Sequence, residues 1–147
     1  MPEQIPIGAD HAGFELKERL VAELTHLGYD ALDLGTTSAD SVDYPDSAHP
    51  VASRIERGEA KRGILLCGSG IGMSIAANRH HGVRASLIWD PEIAKLSRQH
   101  NDSNILVLPA RFVSEDEGIQ ILHAWLDTPF EGGRHERRVN KMEPEHA

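Results

Sequence analysis

Cysteine is almost missing from this sequence: Cys67 is the only one in 147 residues. A single thiol can neither close an internal disulfide nor build a cysteine-based zinc site. Positive charge is in deficit as well, with 15 Lys and Arg against 23 Asp and Glu, a formal net charge of -8. That balance argues against general affinity for nucleic acid or for membrane phosphates. No apolar run approaches the roughly 20 residues that cross a bilayer. The opening Met1-Pro2-Glu3-Gln4-Ile5-Pro6 has neither the basic start nor the apolar stretch of a signal peptide. Internal repeats, low-complexity stretches and linkers are also lacking. Hydrophobic residues make up 39% of the chain and charged residues 26%, enough to fill a core. The expectation is one soluble, cytoplasmic domain spanning residues 1–147, with no nucleic-acid or membrane partner.

What is present is an apolar pattern whose period keeps changing. Ile5-Pro6-Ile7-Gly8 is a short apolar burst ending in glycine, as a first strand would be. From Ala12, helical spacing takes over with Leu16, Leu20, Leu24 and Leu27, and Gly28 supplies the stop. Residues 31–34 read as a second strand and 35–46, rich in Gly, Thr, Ser, Asp and Pro, as loop. The next helix is expected over 49–57, where Pro50 is tolerable only in the first turn. Gly63-Ile64-Leu65-Leu66-Cys67 is apolar throughout, as a strand covered on both faces should be. A glycine loop and a small-residue helix through Asn78 follow it. Residues 84–89 make a fourth strand, and Asp90-Pro91 caps and opens a helix ending near His100-Asn101. A fifth strand over 104–108 precedes a capping box, Ser114 to Glu117, and a helix with the stripe Ile121, Leu122, Trp125 and Leu126. Strands alternating with helices predict a Rossmann-like three-layer α/β/α sandwich, with a five-stranded parallel sheet and a C-terminal helical tail. In such sheets ligands sit beyond the carboxyl ends of the strands.

The predicted strand ends carry an unusual set of groups: Asp10-His11 after the first, Cys67-Gly68-Ser69 after the third, Asp90 after the fourth and Arg111 after the fifth. Gly68-Ser69-Gly70-Ile71-Gly72 lets backbone approach a ligand closely, and the N–H groups opening the next helix attract anionic oxygen. A dinucleotide fingerprint fails because Met73 stands at its last glycine, although Asp90 lies at a suitable distance for a ribose-binding acid. No Walker lysine follows. Cys67 has two readings. It is a small apolar residue ending a strand, or it is a thiol whose pKa falls at a helix N-terminus, giving a nucleophile or a general base. Among nine histidines no H-E-x-x-H or other metal pair occurs, so no metal site is expected. His11 and His100 stand apart because each falls at the ligand edge, where imidazole suits proton transfer. Arg134 and Arg138, one helical turn apart, are either a solvated basic stretch or a guanidinium pair for phosphate.

Together these blocks resemble the ribose-5-phosphate isomerase type B family, which also holds the galactose-6-phosphate isomerase subunits. The matching segments are Gly8-Ala9-Asp10-His11-Ala12-Gly13-Phe14, Asp43-Tyr44-Pro45, Cys67 to Gly72 with Ala76-Ala77-Asn78, Leu96-Ser97-Arg98-Gln99-His100-Asn101-Asp102, and Glu131-Gly132-Gly133-Arg134-His135. They run in order over almost the whole chain. The resemblance implies that Cys67 removes the proton next to the sugar carbonyl. Another branch carries a glutamate just after the glycine loop, where this chain has Met73. It further implies that His100 opens the cyclic sugar and donates a proton, and that Asp10, His11 and Tyr44 contact the substrate. Ser69 and the loop N–H groups of Gly68, Gly70, Ile71 and Gly72 would hold the enediolate oxygens. Arg134 and Arg138 look like the phosphate clamp, with Arg111 and Asn101 completing the pocket. The family's subunits pair, which implies a homodimer, or a tetramer of such pairs, with sites shared between subunits.

The chemistry of such a reaction fits these residues. Moving a hydrogen between adjacent carbons needs a base and an anion-stabilising cradle. It needs no redox cofactor, because aldose and ketose have the same oxidation state. A remote phosphate held by arginines orients the sugar. Ser69 replaces the threonine of some relatives and keeps the hydroxyl. Trp89 at a strand end either packs or narrows the pocket toward a shorter sugar phosphate. The leading expectation is interconversion of ribose 5-phosphate and ribulose 5-phosphate without a cofactor. The alternatives are a tetrose or hexose phosphate substrate (erythrulose, allose or galactose phosphate), a non-catalytic phosphosugar sensor, or a nucleotide-binding module.

Overall fold

The computed structural model describes residues 1–147. Five strands, β1 (Gln4–Ala9), β2 (Asp30–Asp33), β3 (Gly63–Cys67), β4 (Ala85–Leu87) and β5 (Ile105–Pro109), form one parallel sheet in the order β2-β1-β3-β5-β4. The helices are α1 (Phe14–His26), α2 (Pro45–Glu56), α3 (Ile71–Ala77), α4 (Pro91–Asn101), α5 (Glu115–Asp127) and α6 (Arg134–Asn140). Short 3₁₀ turns at His11–Gly13 and Pro144–His146 complete the chain. No helix is long and apolar enough to cross a membrane.

Strand periodicity divides the apolar residues between two cores. Ile64, Leu66, Leu106 and Leu108 face α1, α4 and α5, where Leu20, Leu24, Ile121 and Trp125 are fully covered. Leu65, Cys67, Ile105 and Val107 face α2 and α3, packing on Val51, Ala52, Met73 and Ala77. The sheet is therefore the middle of three layers, as the alternating pattern predicts. Cys67 belongs to the α2/α3 side.

The capping signals sit where expected. Ser114 and Glu117 bond reciprocally at the start of α5, and Asp90 accepts from Glu92 N–H ahead of Pro91. Other boundaries differ from the expected ones. Helix α2 begins at Pro45 rather than at 49, which puts Pro50 inside it instead of in its first turn. The carbonyl that Pro50 cannot pair belongs to Asp46, and both residues are exposed, so water can solvate it. Strand β4 is a three-residue edge strand rather than six, because only β5 pairs with it. Ile71 and Gly72 are the first residues of α3 rather than loop.

Candidate active site

The chain leaves β1 to form β2 on one side and returns to form β3 on the other, so the crevice opens between the carboxyl ends of β1 and β3. A cleft of about 440 Å³ lies there. The end of β1 contributes Asp10 and His11, the end of β3 contributes Cys67, Gly68 and Ser69, and the turn after β5 contributes Arg111 and Phe112. Tyr44 and Gly72 close it from α2 and α3. Its size suits a small ligand.

Asp10, His11, Cys67 and Ser69 are each held by a backbone N–H. Oδ1 of the buried Asp10 accepts from the N–H groups of Ala12 (3.0 Å) and Gly13 (3.2 Å), which leaves Oδ2 for a ligand. Nδ1 of His11 accepts from Val42 N–H at 3.2 Å, which assigns the ring proton to Nε2 and makes that atom a donor. Pairing of β3 with β5 continues past the strands: Ala110 N–H donates to Cys67 O and Arg111 N–H to Gly68 O. This carries the Arg111 guanidinium over Gly68, where a Cβ would sit 3.0 Å from the arginine Nη1. Gly72 is bare for a similar reason, since a Cβ would stand 2.5 Å from the Tyr44 ring.

Cys67 is 5% exposed and its Sγ accepts from Gly70 N–H at 3.1 Å. Gly70 aims that N–H by adopting a left-handed φ of 77°. Burial is the largest influence on the thiol and pushes its pKa up, and the Asp10 carboxylate adds to the rise. The N–H groups of Met73, Gly70 and Ser69 pull the other way without prevailing. Of the two readings of Cys67, the one with a lowered pKa is not met: desolvation outweighs the amides, and the resting thiol keeps its proton. Ser69 is exposed, and its Oγ accepts from Ile71 N–H at 3.3 Å. Met73 is fully buried in the core beneath the loop.

The remaining expected residues do not line this cleft. His100, near the end of α4, stacks on His135 of α6 with ring centroids 4.3 Å apart and planes 15° from parallel. Burial holds the His135 ring below the usual histidine range, reinforced by His100 and Arg134. Asn101 lines a separate cavity with Asn78, Arg84 and Met142. Arg134 and Arg138 lie exposed on α6, away from the cleft. The paired arginines are Arg54, Arg57, Arg62, Arg84 and Arg98, so Arg111, Arg134 and Arg138 carry charge that no carboxylate offsets. Gly70 and Ile71 are also outside the cleft lining; Gly70 acts through the sulfur, and Ile71 is 55% exposed. Trp89 is 56% exposed and neither packs nor lines the cleft, contrary to both expectations for it. Sequence reasoning missed Phe112, 74% exposed at the cleft edge, whose only signal is its place beside Arg111.

The profile of the Ribose/Galactose Isomerase family matches residues 5–142. The chain belongs to that family. Ribose-5-phosphate isomerase B of Escherichia coli (strain K12) is 46% identical over 140 residues, covering 95% of this chain and 94% of the relative. The crystal structure of a ribose 5-phosphate isomerase from Thermotoga maritima superimposes with a TM-score of 0.93 at 51% identity, over 97% of this chain and 98% of that one. Ribose-5-phosphate isomerase B from Mycoplasma genitalium, solved with bound ribulose-5-phosphate, gives 0.95 at 39% identity, over 99% and 97% of the two chains. The cleft holds a cysteine, a carboxylate and an imidazole donor, together with an arginine that no carboxylate pairs.

Proposed function

We propose that the chain, as one domain over residues 1–147, is a cytoplasmic aldose–ketose isomerase that interconverts ribose 5-phosphate and ribulose 5-phosphate. Cys67 is the base. The thiolate removes the proton from C2 of the open-chain aldose, and the electron pair left on C2 moves into the C1–C2 bond. The carbonyl π pair passes to oxygen to give the enediolate. The O2 proton passes to O1 and the abstracted proton returns to C1 to yield the ketose, so nothing is oxidised overall and no cofactor is consumed. The observation that carries this reading is the Gly70 N–H bond to Cys67 Sγ at the wall of a cleft that also holds Asp10 and His11. That bond stabilises the thiolate when it forms, and the Ser69 hydroxyl, whose Oγ accepts from Ile71 N–H and whose own proton is left to donate, meets the charge that develops on the sugar oxygens.

His100 opens the ring, and Arg134 and Arg138 take the phosphate with help from Arg111 and Asn101. Four of these five lie outside their own protomer's cleft, which supports a homodimer in which each cleft is completed by the partner chain. Ile71 and Ile75, one turn apart on the outer face of α3 next to the glycine loop, are 55% and 56% exposed and supply an apolar face for that pairing. The test is turnover of four-, five- and six-carbon aldose phosphates by the wild type and Cys67→Ala. The pentose phosphate is expected to have the highest kcat/KM, and the variant to bind it without turnover. A different best substrate overturns the pentose assignment, and undiminished turnover by Cys67→Ala overturns the base.

A further inference from the structure

We propose that His100, Glu131 and His135 form a binding site for a divalent transition-metal ion of the zinc class, outside the Cys67 cleft of their own chain. One ring nitrogen from each histidine and one carboxylate oxygen all lie within 4.8 Å of one another. Nε2 of His135 stands 3.6 Å and Nε2 of His100 4.0 Å from the same oxygen, Glu131 Oε1. Those separations exceed hydrogen-bond length, so three groups converge on one point without bonding to each other. Two imidazoles and a carboxylate are a recognised set for Zn²⁺, Co²⁺ or Ni²⁺, and they leave a coordination position for water.

The scaffold holds the three together independently of any ion. Glu131 N–H donates to Gln99 O at 3.1 Å, which ties the segment before α6 to the residue preceding His100. His135 is buried and its ring stacks on His100, which keeps the two imidazoles adjacent with their lone pairs side by side; binding an ion tilts the rings out of the stack. Tetrahedral ligands at about 2.0–2.1 Å from zinc stand roughly 3.4 Å apart, so closing the site asks for shifts of about 1 Å or less. Rotation of the 40% exposed His100 ring supplies part of that and Glu131 the rest. Its side chain is 51% exposed, and Gly132 and Gly133 follow it with positive φ. The chain separates His100 from Glu131 too widely for any short motif, which is why spacing alone gave no metal site.

The consequence for turnover rests on the proposed role of His100: an ion on its Nε2 occupies the lone pair that ring opening requires, so the metal inhibits. Chelator-stripped full-length protein is titrated with Co²⁺, read by its visible d–d absorption, and then with Zn²⁺ as competitor. Saturable binding is expected for the wild type. His135→Asn and Glu131→Gln should each weaken it by at least about tenfold, the scale already lost on removing a group behind a ligand. His81→Ala, in the exposed cluster with Glu143 and Glu145, should bind as the wild type does. Affinity unchanged in both His135→Asn and Glu131→Gln, or lost in His81→Ala, overturns the site. In the isomerase assay, Zn²⁺ should inhibit over the range in which it displaces Co²⁺, chelator should reverse this, and Glu131→Gln should shift inhibition and binding together. Inhibition that Glu131→Gln leaves in place would assign the effect to Cys67 and overturn the inhibitory role. Binding by the expected residues without inhibition would uphold the site and remove His100 from the reaction.

Discussion

As the proposed base, Cys67 must be covered enough to meet a carbon acid away from water, yet must give up its proton to act. In the resting protomer the first requirement prevails: burial raises the thiol pKa and Asp10 adds to the rise, while three N–H groups oppose them. Alkylation of Cys67 by iodoacetamide should therefore be slow at neutral pH and accelerate only above the ordinary thiol range. A rate already at its plateau at neutral pH would contradict the burial argument. The sign for stability follows by linkage. The folded pKa lies above the unfolded one, so the contribution is fully present below the unfolded pKa and is lost as pH rises toward the folded value. The identity of this residue was legible in the sequence, since a cysteine ending an apolar strand before a glycine loop is an uncommon arrangement. Its titration was not, because the cover comes from α2 and α3, whose packing no local motif encodes.

The glycine loop is the element that converts strand geometry into chemistry. Gly70 takes a left-handed φ of 77°, and a Cβ there would press into the Leu87 side chain of β4. Gly70→Ala should cost about 1–3 kcal/mol of stability, measured by denaturant unfolding, from backbone strain and overpacking. It should also lower kcat by moving the N–H that holds the sulfur. Wild-type stability and turnover in Gly70→Ala would show that neither constraint acts. Elements with chemical punctuation were legible at nearly residue resolution: β3 coincides with its apolar run, α4 with Asp90-Pro91 and α5 with its capping box. The start of α2 was not. Tyr44 caps it without a side-chain bond, and Pro50 drew the expected boundary four residues too late.

At the scale of the whole molecule, the residues expected in one site fall into two groups. Asp10, His11, Tyr44, Cys67, Gly68, Ser69, Gly72 and Arg111 meet in one cleft, whereas His100, Asn101, Arg134 and Arg138 gather near α4 and α6. A sequence ranks residues by chemistry but carries no sign of which belong to the same copy. Mixing inactive Cys67→Ala and His100→Ala chains under exchange tests the shared-site reading. Half of randomly formed dimers are mixed and one of their two sites is intact, so about a quarter of wild-type activity should return. No recovery, despite exchange shown by mass spectrometry, would confine each site to one chain.

The most direct measurement is hydrogen exchange at the substrate carbon. In D₂O the wild type should convert ribose 5-phosphate to ribulose 5-phosphate with solvent deuterium entering at C1, read by NMR, while Cys67→Ala still binds the sugar phosphate and exchanges nothing. Deuterium entering at the wild-type rate in Cys67→Ala would contradict the account.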